Sequence, residues 1–486
     1  MEGPSSWIRM QPMAARPNIV MIVSDTFRRD HLGAYGNPSI GTPNLDRFAA
    51  GAVMFDQHRI SSFPTMPARA DFLTGRFSFT FMGWEPLPAE LDTLPAMLSR
   101  AGYLTMGVVD TPFFIRDGYG YDRGFDDFIW IRGQGDDTRP VERADARALW
   151  RTERDRLVAR TMSAADSWLE RHHETPFFLY VDTWDPHEPW DPPDYYVRRY
   201  RPDFKGPAPY PAYAKWKEAG LTQDDVDIAH AAYCGKVTMV DRWIGMLLDK
   251  LDVLGVASNT IVLFTSDHGH YFGEHGYFGK AEWIHDPDAK LSDDAEVPEW
   301  FSKSWLLTIG WSPLYQELYR VPFIIRAPGI QPGRRQALTT APDIPATILD
   351  LAGVETPAQV QGRSVREVLS GNAAEHRPFV ISSWPLYFAK GELTSAVDSR
   401  KRRIASYMPV TVSNRRWSLI MGGPSEAPEL YDLERDPQEA SNVWAEHVDE
   451  GSYLFKNAIE FLRSVGTSEK FVKPREESLA AFAAAR

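Results

Sequence analysis

Cysteine is almost missing: Cys234 is the single one in 486 residues. No intrachain disulfide can form, so packing rather than covalent ties has to hold the fold. Around it, "AHAAYCGKVTMVDRWIGMLLDKL" repeats its apolar residues at helical spacing, and Cys234 reads as a buried packing residue rather than a nucleophile. Long apolar runs are absent too, which excludes a membrane-spanning helix as an expectation. The opening "MEGPSSWIRMQPMAARPN" lacks the apolar centre of a signal peptide, so a cytoplasmic protein with no membrane partner is expected. Positive charge is in deficit: 53 Lys and Arg against 66 Asp and Glu leave a net charge of -13, which argues against a nucleic-acid partner. An anionic substrate would therefore need positive charge supplied by its own site. No internal repeat is visible, and the sequence leaves the oligomeric state open, a homo-oligomer included.

What is present is ordinary globular material. Hydrophobic residues make up 43% and charged residues 24%, and the length suggests about two packed units. Short apolar runs of strand length recur: "NIVMIVS", "LTMGVV", "FFLYVD", "TIVLFTS" and "VPFIIR". Helical patterns lie between them, in "TPNLDRFAA", in "TLPAMLSRAG" with its Gly102 stop, from Arg151 to Arg171, and from Val226 to Leu254. This alternation predicts an α/β fold with a mainly parallel central sheet and helices on both faces. Beyond about residue 385 the texture changes. "RRIASYMPVTVSNRRWSLIM" reads as short strands around a turn at Ser413-Asn414, and a helix is expected near Tyr453 to Val465. The division expected is a catalytic domain over 14–384 and a smaller α+β C-terminal subdomain with a short antiparallel sheet over 385–486. Within the first, 281–318 is an insertion with four tryptophans and many acids, which would serve equally as a pocket lid or wall and as a peripheral packing element.

In doubly wound folds ligands bind beyond the carboxyl ends of the strands. Asp25 follows "NIVMIVS", Asp267-His268-Gly269 follows "TIVLFTS", His187 lies in "TWDPHEP" after "FFLYVD", and Asp110-Thr111 follows "LTMGVV". One strand-end Asp is usually a turn former or a helix cap. Several, joined by histidines, suit a divalent cation, and a mixed oxygen and nitrogen set favours manganese or zinc over calcium or magnesium. In "SSFPTMPARADFLTGR", Thr65 alone would read as a helix cap. Beside a cation its hydroxyl becomes a usable nucleophile, with Arg69 one helical turn on to hold the loop or offset negative charge. Lys280 and His187 could then face an anionic group, one neutralising charge and the other protonating a leaving group.

These stretches resemble the sulfatase family of the alkaline-phosphatase-like superfamily over nearly the whole chain. "TMPARADFLTGR" is similar to its signature loop of Cys or Ser, any residue, Pro, any residue, Arg, then Leu-Thr-Gly. "NIVMIVSDTFRRDHLGAYGN" and "PNLDRFAAGAVMFDQ" precede it in the family's order, and "GKVTMVDRWIGMLLDKLDVLGVASNTIVLFTSDHG", "GEHGYFGK", "RVPFIIRAPG", "PDIPATILDLAG" and "PELYDLERDPQEASN" follow. The resemblance implies one divalent metal held by Asp25, Asp267 and His268 and touched by Thr65. It implies that Arg69 supports the nucleophile loop and that His187 and Lys280 surround a small anionic ester.

Several positions depart from the family. Thr65 stands where sulfatases carry a Cys or Ser that is converted to formylglycine. Thr26 stands where many have a second metal-binding Asp, and His268 where many have Asn. "VVDTPFF" lacks the Lys and His that many place nearby; Asp110 there would repel a doubly charged monoester, although Asp110 and Thr111 also read as turn residues. A plain threonine resembles the phosphonate monoester hydrolase and phosphodiesterase branch. The expectation is therefore a metal-dependent hydrolase cleaving a phosphodiester or phosphonate monoester through Thr65. The alternatives are a sulfuric ester hydrolase, a transferase, and a catalytically inactive binding protein in the same shell.

Overall fold

The fold, taken from a computed structural model, is described for residues 16–484 except 116–117, 134–149, 211–212, 284–289, 292–308, 311, 387–392, 395–407, 409 and 422–426. Most of the Trp-rich stretch expected as a lid or packing element lies outside the described residues.

Eight strands form the central sheet. The first five in the chain are β1 (Asn18–Ser24), β2 (Val53–Arg59), β3 (Leu104–Val109), β4 (Asp127–Trp130) and β5 (Phe177–Thr183). Across the sheet the order is Gly333–Thr340, β2, Phe323–Arg326, Thr260–Thr265, β1, β5, β3, β4. Only Phe323–Arg326 runs against its neighbours; all other pairings are parallel. The mainly parallel sheet is thus as expected. β2, β4 and Gly333–Thr340 add strands that the apolar runs did not mark. β2 carries Asp56, Gln57 and His58, and Gly333–Thr340 opens on Gly-Arg-Arg-Gln, so neither reads as an apolar run.

β1 is buried along its full length, and the two sides of its pleat enter different cores. Val20 and Ile22 pack with α1 (Pro43–Ala50), Leu157–His172 and the long helix Gln223–Val253. Ile19, Met21 and Val23 pack with α2 (Thr65–Thr74), α3 (Leu94–Arg100) and Asp343–Leu351. Helices therefore cover both faces. Each such Ile, Val or Met buried contributes roughly 1.5–3 kcal/mol, which is how a disulfide-free chain holds together. The long helix starts on a reciprocal cap: Thr222 Oγ1 accepts from Asp225 N at 3.1 Å, and Asp225 Oδ2 accepts from Thr222 N at 2.8 Å.

Near the C-terminus, Val380–Ser383, Val410–Ser413, Trp417–Ile420 and Glu429–Asp432 form an antiparallel four-stranded sheet. Its core, with Val410, Val412 and Leu419, is closed by Val448–Ser464 and Glu469–Ala484, so the alanine-rich tail docks as a helix. No helix among the described residues is long and apolar enough to cross a membrane.

Candidate active site

Parallel strands deliver their following residues to one edge of the sheet. Asp25 comes directly after β1, and Asp267-His268 two residues after Thr260–Thr265. The loop after β2 turns at Pro64 into α2, which presents Thr65 as its first residue. Pro64 holds the capping position, so Thr65 is not the helix cap. All ten residues of α2 are buried, charged Arg69 and Asp71 included. Asp71 anchors the helix entry by accepting from Ser62 N at 3.0 Å, Ser62 Oγ at 2.8 Å and Ser78 N at 2.9 Å. The helix ends at Gly75, whose φ of 68° is left-handed and whose missing Cβ would stand 2.7 Å from Val360.

Asp25, Asp267 and His268 are fully buried, and their ligand atoms lie within 4.8 Å of one another. Arg69 Nη1 donates to Asp25 Oδ2 at 2.9 Å and also to Asp267 Oδ2. Asp267 Oδ1 accepts from Thr26 N at 3.0 Å and His268 N at 2.8 Å. To reach that bond Thr26 adopts φ 57°, which is unfavourable for a β-branched residue and here serves the site. His268 Nδ1 donates to the Gly269 carbonyl at 2.9 Å, which leaves the Nε2 lone pair directed inward, 3.4 Å from Thr65 Oγ1.

Burial, and then the neighbouring Asp267, push the Asp25 carboxyl well above its usual range. Burial acts on Asp267 in the same sense, but the Arg69 guanidinium outweighs it and holds that carboxyl down. Burial above all pushes His268 down to about 3, so its ring is neutral. Asp25 Oδ1 is buried with no hydrogen-bond partner. An orphaned carboxylate oxygen, a neutral imidazole nitrogen and two adjacent buried acids fit a divalent cation.

Near this cluster, Lys280 Nζ lies 2.6 Å from His187 Nε2, and His187 Nδ1 donates to the Glu188 carbonyl at 2.7 Å. With Nδ1 protonated, Nε2 is the acceptor and Lys280 the donor. Burial first, then Lys280, holds the His187 ring well below its usual range. The two residues expected around an anion thus form one proton-sharing couple. Glu188 lies beside it, its carboxylate 3.3 Å from His187 Nδ1 and hydrogen-bonded by Tyr213.

Three further residues escaped the sequence. Asp182, the last acid of β5, grips Arg69 with two bonds, Nη2–Oδ1 at 2.8 Å and Nε–Oδ2 at 3.1 Å. Thr111 and Tyr180 donate to the same carboxylate at 2.5 and 2.6 Å. Its position at a strand end was the available signal. Lys236, on the long helix, binds Asp185 at 2.6 Å and the carbonyls of His187 and Pro189 at 2.9 and 3.0 Å, pinning the His187 loop. Nothing in its helical context marks it. His270 is buried with neither ring nitrogen hydrogen-bonded, 3.8 Å from Glu188.

Asp110 follows its reading as a turn residue. It does not present its charge to a substrate but accepts from Thr161 and Thr183 at 2.6 and 3.0 Å and from Trp184 N at 2.6 Å. Its carboxylate is consumed in tying β3 to the loop after β5. Glu274 pairs with Arg28 at 2.7 Å and His275 stacks on Tyr315, both structural contacts.

Strand-end acids, an imidazole and a hydroxyl gathered over a mainly parallel sheet define a hydrolase of the alkaline-phosphatase-like class. The chain belongs to the sulfatase family: the sulfatase family model matches residues 17–354, and the model of the N-sulphoglucosamine sulphohydrolase C-terminal region matches 299–459. It is 25% identical to an arylsulfatase of Clostridium perfringens, with 95% of each chain covered. A structure solved with the substrate D-glucosamine-2-N,6-O-disulfate superposes with a TM-score of 0.71 at 21% identity, covering 95% of this chain and 99% of the other. The phosphonate monoester hydrolase of Agrobacterium radiobacter superposes with a TM-score of 0.69 at 22% identity, covering 93% and 95%. The protein is thus an ester hydrolase of a family whose members bind a divalent metal ion, and Asp25, Asp267 and His268 are a candidate ligand cluster for one.

Proposed function

We propose that this protein hydrolyses a sulfate ester, with Thr65 as the attacking group. The observation that carries the reading is the approach of Thr65 Oγ1 to within 3.4 Å of His268 Nε2, at the edge of a metal-competent cluster. The likeness to an arylsulfatase over nearly the full length supports sulfate as the group transferred. A second reading, a phosphonate monoester or phosphodiester, is favoured by one feature. Thr65 is neither of the residues that can mature to formylglycine, and its ester with the transferred group has to be opened by water at the central atom.

Asp25, Asp267 and His268 would hold the cation, with Thr65 Oγ1 close by. When bound, a divalent cation supplies charge that lowers the pKa of a nearby hydroxyl and offsets charge on the ester oxygens. Arg69 is saturated by Asp25, Asp267 and Asp182, so its task is to align α2 and the acids rather than to bind the substrate. Thr65 Oγ1 gives up its proton to solvent and forms a bond to sulfur or phosphorus as the bond to the leaving oxygen breaks. The Lys280–His187 couple gives the leaving oxygen its proton. Water then attacks the same central atom and the bond to Thr65 Oγ1 breaks; of the two protons the water brings, one returns to Thr65 Oγ1 and the other restores the Lys280–His187 couple.

A panel of p-nitrophenyl sulfate, phenylphosphonate, phosphodiester and phosphate, with manganese, zinc, calcium or magnesium added, tests this. Sulfate release that vanishes in Thr65→Ala supports the first reading. Faster cleavage of phenylphosphonate or diester than of sulfate moves the assignment to the second. Turnover unchanged in Thr65→Ala removes the covalent mechanism, and no turnover with any metal leaves a binding protein.

A further inference from the structure

A second group of metal-ligating side chains shares no residue with the site above. His31 lies in the segment that follows β1, and His230 and Cys234 stand four apart on the long helix, on one face of it. His31 Nε2 is 2.7 Å from His230 Nε2, and Cys234 Sγ is 3.6 Å from the same His230 atom. All three ligand atoms lie within 4.8 Å of one another. His31 and Cys234 are buried and His230 is half-buried.

We infer that His31, His230 and Cys234 form a second metal site, for a single zinc-class divalent cation. The ligand type is the first argument. Two imidazoles and a thiol are the donors that zinc prefers, whereas the Asp25 cluster is oxygen-rich. Spacing is the second. A tetrahedral zinc with ordinary bond lengths separates a sulfur and a nitrogen ligand by about 3.6 Å and two nitrogens by about 3.3 Å. The distance from Cys234 Sγ to His230 Nε2 already matches, that to His31 Nε2 is within 4.8 Å, and the two rings need to part by only roughly 0.6 Å.

Orientation is the third. His31 Nδ1 donates to Asp30 Oδ1 at 2.8 Å, and Asp30 is itself paired with Arg28 at 2.6 Å. A carboxylate on Nδ1 fixes the tautomer that leaves Nε2 as a lone pair, the usual support of a metal-bound histidine. Access is the fourth. The three residues line a cavity of about 390 Å³ that also touches Asn37, Tyr200 and Asp227, so a fourth position is open to water.

Burial pushes the Cys234 thiol up to about 12, so the free protein holds a neutral thiol there. Cation entry releases that proton to solvent, and the His230 proton moves from Nε2 to Nδ1, so one proton leaves per cation bound. The bound ion would clamp the segment that follows the Asp25 strand to the long helix. This inference is independent of the ester that the enzyme cleaves.

The test uses the full chain, stripped with chelator and titrated with cobalt(II) and zinc(II). Cys234 is the only cysteine, so a near-ultraviolet thiolate-to-cobalt charge-transfer band has one source. The band is expected to saturate at one equivalent per chain and to vanish in Cys234→Ser. Zinc stoichiometry from equilibrium dialysis is expected to fall by one equivalent per chain in Cys234→Ser and in His230→Ala. Cobalt binding by the wild type without a charge-transfer band overturns the assignment, and that measurement needs no variant to fold. So does a band that survives Cys234→Ser, or zinc stoichiometry unchanged in folded variants.

Discussion

Thr65 and Asp182 carry the sharpest consequences of single side chains. Thr65→Ala is expected to lower kcat by on the order of 10³-fold or more, whereas Thr65→Ser, which keeps a hydroxyl, retains measurable turnover. Steady-state kinetics on the preferred ester check both, and intact mass after a substrate quench should show an adduct on the wild type and none on Thr65→Ala. Asp182 meets no substrate in this arrangement; it holds Arg69, which holds Asp25 and Asp267. Asp182→Asn is therefore expected to cost about 10- to 100-fold in metal affinity or activity, the usual effect of removing a support behind metal ligands. Metal titration followed through activity separates the two losses. Thr65, Asp25 and His268 were readable because each follows an apolar run or sits in a signature loop. Asp182 was not, because a strand-terminal acid looks the same whether it caps a turn or grips an arginine from another element.

At the scale of elements, α2 stands out as a helix with no exposed face, entered through the Ser62–Asp71–Ser78 net. Burial pushes the Asp71 carboxyl up to about 7. A carboxyl raised above its unfolded value of about 3.9 contributes stability that is complete below that value and is lost as pH rises through the folded value. Between about pH 4 and about pH 7 the wild type is thus expected to lose a few kcal/mol relative to Asp71→Asn. Denaturant unfolding of the two proteins at both ends of that window gives the comparison; a difference that does not move with pH would show that Asp71 titrates normally. The sequence offered Thr65, taken alone, as the cap of a helix. The helix instead begins at Thr65 because Pro64 occupies the capping position, which turns Thr65 from a cap into the first residue of the helix.

At the scale of the whole molecule, the site draws on β1, β2, β5 and Thr260–Thr265 together, so a bound cation joins segments far apart in the chain. Chelation should abolish activity and lower Tm by several degrees, with both restored by manganese or zinc. A ligand at a thousand times its Kd adds about 4 kcal/mol to the folded state. Thermal unfolding with and without chelator reads the shift, and an unchanged Tm would speak against a tightly held ion.

From the amino-acid order alone followed the α/β class, the helices on both faces, the small antiparallel C-terminal sheet, and the convergence of Asp25, Thr65, Arg69, Asp267 and His268. These were legible because apolar periodicity reports burial, because parallel strands send their following residues to one edge, and, for Thr65 and Arg69, because their loop resembles the family's signature. Only the tertiary structure decided where each side chain is aimed. Asp110 directly follows β3 and Asp182 lies on the neighbouring β5, yet one ties loops together and the other clamps Arg69. Lys236 and Cys234 occupy the same helix, two residues apart, and one pins the His187 loop while the other meets two histidines. Sequence spacing places a residue on a face of its own element. What stands opposite that face is set by sheet order and helix crossover, which no local pattern encodes.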